Sequence, residues 1–143
     1  PLLPFKTTNY FENSYARRWA SGQGCDDALF LNERGEVTET TTANLLLIHR
    51  RTLITPPVSA GLLPGIARHI LMLSADQIGL HPEERSVTPR DLQEADEAVL
   101  SNAVVEVLPV REVAGVLNRR PPFGWATSLR AAYRQNIFLW AKK

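Results

Sequence analysis

Three places in this chain set residue types at spacings that chemistry can use. Lys6 lies in Pro4-Phe5-Lys6-Thr7-Thr8-Asn9-Tyr10, just ahead of a helical pattern. An amine held against apolar neighbours loses part of its ammonium hydration, so its neutral form becomes available to attack a carbonyl carbon and form a Schiff base. The bland alternative is a solvated lysine, the commoner fate of this residue type. Glu39 lies in Val37-Thr38-Glu39-Thr40-Thr41-Thr42-Ala43-Asn44, at the end of a strand pattern and among threonines able to hydrogen-bond a carboxylate. Such an acid could pair with a buried cation, although taken alone an exposed turn glutamate is the better reading. The third place is Leu62-Leu63-Pro64-Gly65-Ile66-Ala67-Arg68. Its glycine admits close approach of a ligand, and the unpaired amides of the following helical turn offer a seat for a phosphate. Pro-Gly ahead of a helix is also plain turn chemistry.

Other chemistries find no support. His49, His69 and His81 have neither helical ligand spacing nor a nearby cysteine pair, so no metal site is expected. There is no Gly-x-Ser-x-Gly elbow and no glycine-rich nucleotide loop. Cys25, flanked by Asp26 and Asp27, is poorly placed for a nucleophile, and as the only cysteine it can form no internal disulfide. That usage fits a reducing, cytoplasmic setting. A net charge of +1 with scattered arginines gives no basic stripe for nucleic acid. The longest apolar runs, such as Leu45–Ile48, are too short to span a bilayer, so no membrane partner is expected.

Several elements must position these groups. Phe11, Tyr15 and Trp19 recur at helical spacing, predicting a helix over Thr8–Gly22 that buries them together, with Thr7 or Thr8 as cap. Ala28–Leu31, Glu36–Thr38, Leu45–Ile48 and Thr52–Thr55 read as antiparallel strands joined by turns at Asn32–Gly35 and His49–Arg51. Ile66–Ile78 reads as a well-buried helix ended by Gly79, and Glu83–Val87 as an edge strand. Thr88 and Pro89 mark a helix start, Ala98–Leu100 and Val107–Val110 two further strands, and Gly124–Trp140 a closing helix. The class expected is α/β or α+β, with a curled, largely antiparallel sheet or pseudo-barrel and packed helices. At 143 residues this is one domain. It opens at Pro1 without an initiator Met, which suggests a chain lacking its natural start.

The ordered set of blocks, from Lys6-Thr7-Thr8-Asn9-Tyr10 through Asp27–Asn32 with Gly35, Val37-Thr38-Glu39 with Ala43-Asn44-Leu45, Thr55-Pro56, Leu63–Arg68 and Ala95-Asp96-Glu97 to Val107-Leu108-Pro109-Val110, resembles the class IV aminotransferase family. The resemblance implies pyridoxal 5'-phosphate as cofactor. Lys6 would bond the cofactor and shuttle the proton at the substrate's α-carbon, Glu39 would pair with the ring nitrogen, and Tyr10 would hydrogen-bond the phenolic oxygen. The amides of Ile66 and Ala67 would hold the phosphate, with further donors from a second turn at Asn102-Ala103.

Two departures matter. Transaminases of the family usually carry a threonine where Ala67 stands and Gly-Thr where Asn102-Ala103 stands; Asn-Ala is more like the aminodeoxychorismate lyases, whereas Glu106 ahead of Pro109 fits the transaminases. The resemblance therefore favours a lyase that releases pyruvate and gives 4-aminobenzoate. An aminotransferase for branched-chain or D-amino acids and a truncated, non-catalytic domain are the alternatives. It further implies that residues 1–143 form the C-terminal, cofactor-carrying domain, that an N-terminal domain is absent and this chain alone inactive, and that the assembly is a homodimer acting on a small amino acid or amino-chorismate.

Overall fold

Leu45, Leu46, Leu47 and Ile48 are consecutive apolar residues, a pattern that suits a strand covered on both faces. The computed structural model, which describes residues 10–140, builds the domain around that strand. The first helix, α1, spans Phe11–Gly22, and the strands β1 (Leu29–Leu31), β2 (Val37–Thr40), β3 (Asn44–His49) and β4 (Thr52–Thr55) follow as antiparallel neighbours. A short 3₁₀ turn at Val58–Ala60 leads to α2 (Ile66–Ser74), which passes into a 3₁₀ turn over Ala75–Ile78 and stops at Gly79, φ +77°. Then come β5 (His81–Glu84), α3 (Pro89–Glu94), β6 (Glu97–Ser101), β7 (Leu108–Pro109), a small hairpin of β8 (Glu112–Val113) and β9 (Leu117–Asn118), and α4 (Gly124–Trp140).

Strand β3 is the hub. It pairs with β6 from Asn44↔Ser101 to Ile48↔Glu97, with β2 at its start (Glu39↔Asn44) and with β4 at its end (Leu47↔Ile54 to His49↔Thr52). Because side chains alternate along a strand, Leu46 and Ile48 join a core with Ala67, Ile70 and Leu71 of α2 and Leu129 and Tyr133 of α4. Leu45 and Leu47 point the other way, into a second core with Val37, Ile54, Val87 and Leu92. Both faces of β3 are therefore dry, and every one of its apolar side chains is buried.

The expected class, a mixed α/β domain with a largely antiparallel sheet and packed helices, is the fold observed. Four expectations need correction. Phe11, Tyr15 and Trp19 do share a face, and the rings of Phe11 and Tyr15 stack at 6.3 Å, but they are 74%, 66% and 61% exposed. Spacing aligns residues along a helix without saying what the face meets, and Ala20 is the buried residue of α1. Ile66 and Leu73 of α2 are exposed as well, because the helix packs on the sheet through Ala67, Ile70 and Leu71. The strand expected over 83–87 is shifted to His81–Glu84 and runs parallel to β4, as a crossover through α2 dictates, while Val87 makes only an isolated bridge to Val37. Finally, α1 begins at Phe11 with Tyr10 at its cap position and no side-chain cap bond; the expected caps Thr7 and Thr8 lie outside the described residues.

Candidate active site

Glu39 sits opposite Asn44 across the hairpin formed by β2 and β3. Its carboxylate accepts two hydrogen bonds, at Oε1 from the Leu63 amide (3.0 Å) and at Oε2 from Asn44 Nδ2 (3.0 Å). The same Asn44 nitrogen donates to the Leu63 carbonyl at 2.8 Å. The threonines expected to bond Glu39 are used elsewhere: Thr38 donates to the Phe30 carbonyl, Thr40 to the Ala43 carbonyl within the turn, and Thr41 to Asp27 at 2.5 Å. Only Thr40 spends its hydroxyl inside the hairpin turn; Thr38 and Thr41 reach Phe30 and Asp27 outside it.

Burial pushes the Glu39 carboxyl up to about 7, against the opposing pull of the Leu63 amide. Among the described residues no Lys, Arg or His forms an ion pair with it. A largely buried acid with no ion-pair partner among the described residues has room for a positive charge beside it.

The start of α2 lies next to this acid, since Leu63 is hydrogen-bonded to both Glu39 and Asn44. Gly65 is the N-cap residue and provides no side-chain cap, and the first turn carries no acidic residue. The leading amides of Ile66 and Ala67 have no acceptor within the helix. Two other helix starts are closed by acids: Glu97 accepts from the amides of Trp125 and Ala126 at 3.0 Å each, and α3 has a capping box made by Thr88 and Asp91, while α1, also without a side-chain cap bond, carries Glu12 in its first turn. An anion is the complement that α2 lacks. Behind it, Arg68 is 6% exposed and donates to Thr55 Oγ1 (3.0 Å), the Pro56 carbonyl (2.9 Å) and Glu84, tying the helix start to the ends of β4 and β5.

The second turn follows β6, and Ser101 is paired with Asn44, so Asn102 and Ala103 fall at the same end of the sheet. Asn102 Nδ2 donates to the Thr42 carbonyl at 3.1 Å, joining the two turns. Its Oδ1 accepts from the amides of Val104 and Val105, both at 2.8 Å. Two of the donors this turn could offer a ligand are therefore already taken, and Ala103 contributes the amide that Asn102 does not engage. Tyr10 is partly exposed at the start of α1, which is tied to the first turn by Asn13 Nδ2 donating to the Thr41 carbonyl at 2.8 Å. Lys6 lies outside the described residues.

The structure thus gathers Glu39, Ile66, Ala67, Asn102 and Ala103 at one sheet end. Sequence reasoning missed Asn44, Leu63 and Arg68 as working parts. Only Asn44 left a signal, because a hairpin turned by Thr40–Ala43 must set Glu39 against Asn44. Among the described residues no group of His, Cys, Asp and Glu forms a metal cluster.

Among the described residues, one end of the sheet thus brings together an acid without an ion-pair partner and a helix start without a side-chain cap. Residues 1–113 match the family described as amino-transferase class IV, and the chain belongs to that family, whose members depend on pyridoxal phosphate. The chain is 32% identical over 133 residues to the aminodeoxychorismate lyase of Bacillus subtilis, covering 92% of this chain and 45% of that protein. Its fold matches a branched-chain aminotransferase of Thermoproteus uzoniensis, solved with norvaline, at TM-score 0.85 and 31% identity, covering 93% of this chain and 44% of that one. It also matches the Thermobaculum terrenum branched-chain amino acid aminotransferase in its PLP holo form, at TM-score 0.82 and 32% identity over 91% of this chain and 43% of that one. The chain spans less than half the length of the curated relatives it matches.

Proposed function

We propose that residues 1–143 form the C-terminal, cofactor-holding half of a pyridoxal-phosphate enzyme, and that the whole protein is an aminodeoxychorismate lyase releasing pyruvate to give 4-aminobenzoate. The observation that carries the cofactor assignment is the Glu39 carboxyl, raised to about 7 with no cationic partner among the described residues and set beside the uncapped start of α2. Pyridoxal phosphate, when bound, supplies the electron sink for bonds at the substrate's α-carbon. Glu39 would hold the proton on the ring nitrogen, which keeps that sink effective. The amides of Ile66 and Ala67, with Ala103 from the second turn, would hold the phosphate. Tyr10 would orient the phenolic oxygen. Lys6 would anchor the cofactor and carry the proton to and from the α-carbon.

The lyase reading is supported by the alanine at 67, by the Asn102-Ala103 turn and by likeness to the Bacillus subtilis enzyme. Transamination of branched-chain or D-amino acids is the second reading, favoured by Glu106, whose carboxylate bonds Arg134 at 2.7 Å, and by the likeness to the Thermoproteus uzoniensis enzyme. A homodimer is part of the proposal, as is a cytoplasmic location, which suits a chain with one cysteine.

Adding pyridoxal phosphate to this chain tests the cofactor assignment. Saturable binding should raise the melting temperature, since ligand at a hundredfold above Kd stabilises by about 2.7 kcal/mol. A visible absorption band lost in Lys6→Ala should accompany it. A flat melting temperature would refute the assignment. In the whole protein, 4-aminobenzoate fluorescence separates the lyase from a transaminase, which would instead move an amino group to a 2-oxo acid. This chain alone is expected to bind without turnover, so turnover by the isolated chain would contradict that part of the proposal.

A further inference from the structure

We infer that Asn44 is the positioning residue that locks the acid serving the ring nitrogen to the turn serving the phosphate, so that the two ends of the cofactor are gripped through one side chain. The inference rests on the cofactor reading above and names a part of it that the motif does not reveal.

Asn44 has two amide hydrogens and the structure uses both, one on Glu39 Oε2 at 3.0 Å and one on the Leu63 carbonyl at 2.8 Å. Leu63 in turn donates its own amide to Glu39 Oε1 at 3.0 Å, closing a ring of three hydrogen bonds. Each carboxylate oxygen thus has one donor assigned and lone-pair capacity left, which fixes the direction in which a cation can be met. Asn44 is 4% exposed, so its two donated bonds are made with little competition from solvent.

Its side-chain oxygen explains the neighbouring glycine. A Cβ at Gly65 would fall 2.1 Å from Asn44 Oδ1. Gly65 has φ −69° and ψ 137°, a conformation open to any residue, so its backbone does not call for glycine. What demands glycine there is the space occupied by Asn44. The residue that fixes the acid therefore also sets how closely the start of α2 can approach. Aspartate would lose both donated hydrogens and bring a second anion against Glu39, alanine leaves the gap empty, and glutamine is too long for the space beside Gly65.

The test compares wild type, Asn44→Ala, Gly65→Ala, Glu39→Gln and the double variants, each checked for cooperative melting. Three probes are titrated: pyridoxal phosphate, pyridoxal without its phosphate, and inorganic phosphate. Asn44→Ala should weaken pyridoxal phosphate at least tenfold and weaken both partial probes. Combined with Glu39→Gln it should add less than the sum of the two single effects. Gly65→Ala should reproduce this pattern with Asn44 still present, and Asn44→Ala should relieve the Gly65→Ala defect. Loss confined to pyridoxal, with inorganic phosphate binding intact, would overturn the coupling.

Amide exchange gives a readout that needs no ligand. The Leu63 amide should exchange at least tenfold faster in Asn44→Ala and in Gly65→Ala, with Leu129 in α4 unchanged, and unchanged exchange at Leu63 would overturn the inference outright. A wild-type chain that bound none of the probes would instead defeat the cofactor reading, a failure that the exchange result keeps separate.

Discussion

Replacing Glu39 with glutamine isolates the electrostatic cost of the site. The carboxyl is raised from 4.5 to about 7 by burial, opposed by the Leu63 amide. An acid whose folded pKa lies above its unfolded one binds its proton more tightly in the native state. Stability therefore falls as pH rises through the window from 4.5 to 7 and levels off above it. At about 1.4 kcal/mol for each pH unit, the full drop is about 3 kcal/mol, an upper value because the group is only partly buried. The other strongly shifted carboxyls, Glu36 and Asp91, are lowered to about 2, so their transitions fall outside this window. Glu39→Gln should abolish the slope and be more stable than wild type at pH 8, by about 1–2 kcal/mol. The gain is smaller than the full drop because the new amide nitrogen would face the Asn44 donor. Urea unfolding at half-unit steps from pH 4.5 to 8 measures this directly, and the carboxyl carbon shift of Glu39 should titrate with a midpoint near 7. Pyridoxal phosphate should flatten the wild-type slope by bringing a cationic ring nitrogen to the carboxylate. A wild-type stability that is level across this window, or a glutamine variant with the same slope, would refute the reasoning.

Three further perturbations probe the frame around the site. Arg68→Ala leaves Thr55, the Pro56 carbonyl and Glu84 without their shared donor and should cost about 3 kcal/mol by thermal or urea unfolding. Lysine at that position should recover only part of the loss, because one ammonium cannot reproduce the planar fork. Thr88→Ala removes the α3 cap and should cost about 1 kcal/mol in urea unfolding. Although burial works to raise the Asp91 carboxyl, the bonds from Arg85 and Thr88 bring it to about 2; its stabilisation is present above pH 3.8 and lost as pH falls toward 2. Thr88→Ala should therefore move acid unfolding to higher pH. Gly79→Ala places a side chain at φ +77° and 3.3 Å from Arg51 Nη2, and a cost of about 1–2 kcal/mol should appear as a lower melting temperature.

Local rules were sufficient wherever the cause was local. Thr52–Thr55 between a turn and Pro56-Pro57, the capped start at Thr88-Pro89, the left-handed stop at Gly79 and the helix Gly124–Trp140 all stand where alternation, capping and turn chemistry put them. The ordered motifs likewise pointed to the family, because they specify a ligand's chemistry residue by residue. Rules of this kind act over a few residues, and they stopped serving once a side chain's fate depended on distant segments. Phe11, Tyr15 and Trp19 have the spacing of a core face yet stand exposed, since only packing decides what a face meets. The parallel run of β5 beside β4 and the Asn102 Oδ1 that takes two turn amides were equally invisible.

Glu39 marks the boundary between the two. Its type and place in a motif are written in the sequence. Its raised pKa, its bond to an amide 24 residues further on and the glycine kept bare to make room for Asn44 exist only after β2, β3 and the start of α2 have come together. Sequence can name an acid, but removing water from around it requires the atoms of other segments, and those arrive only with tertiary structure.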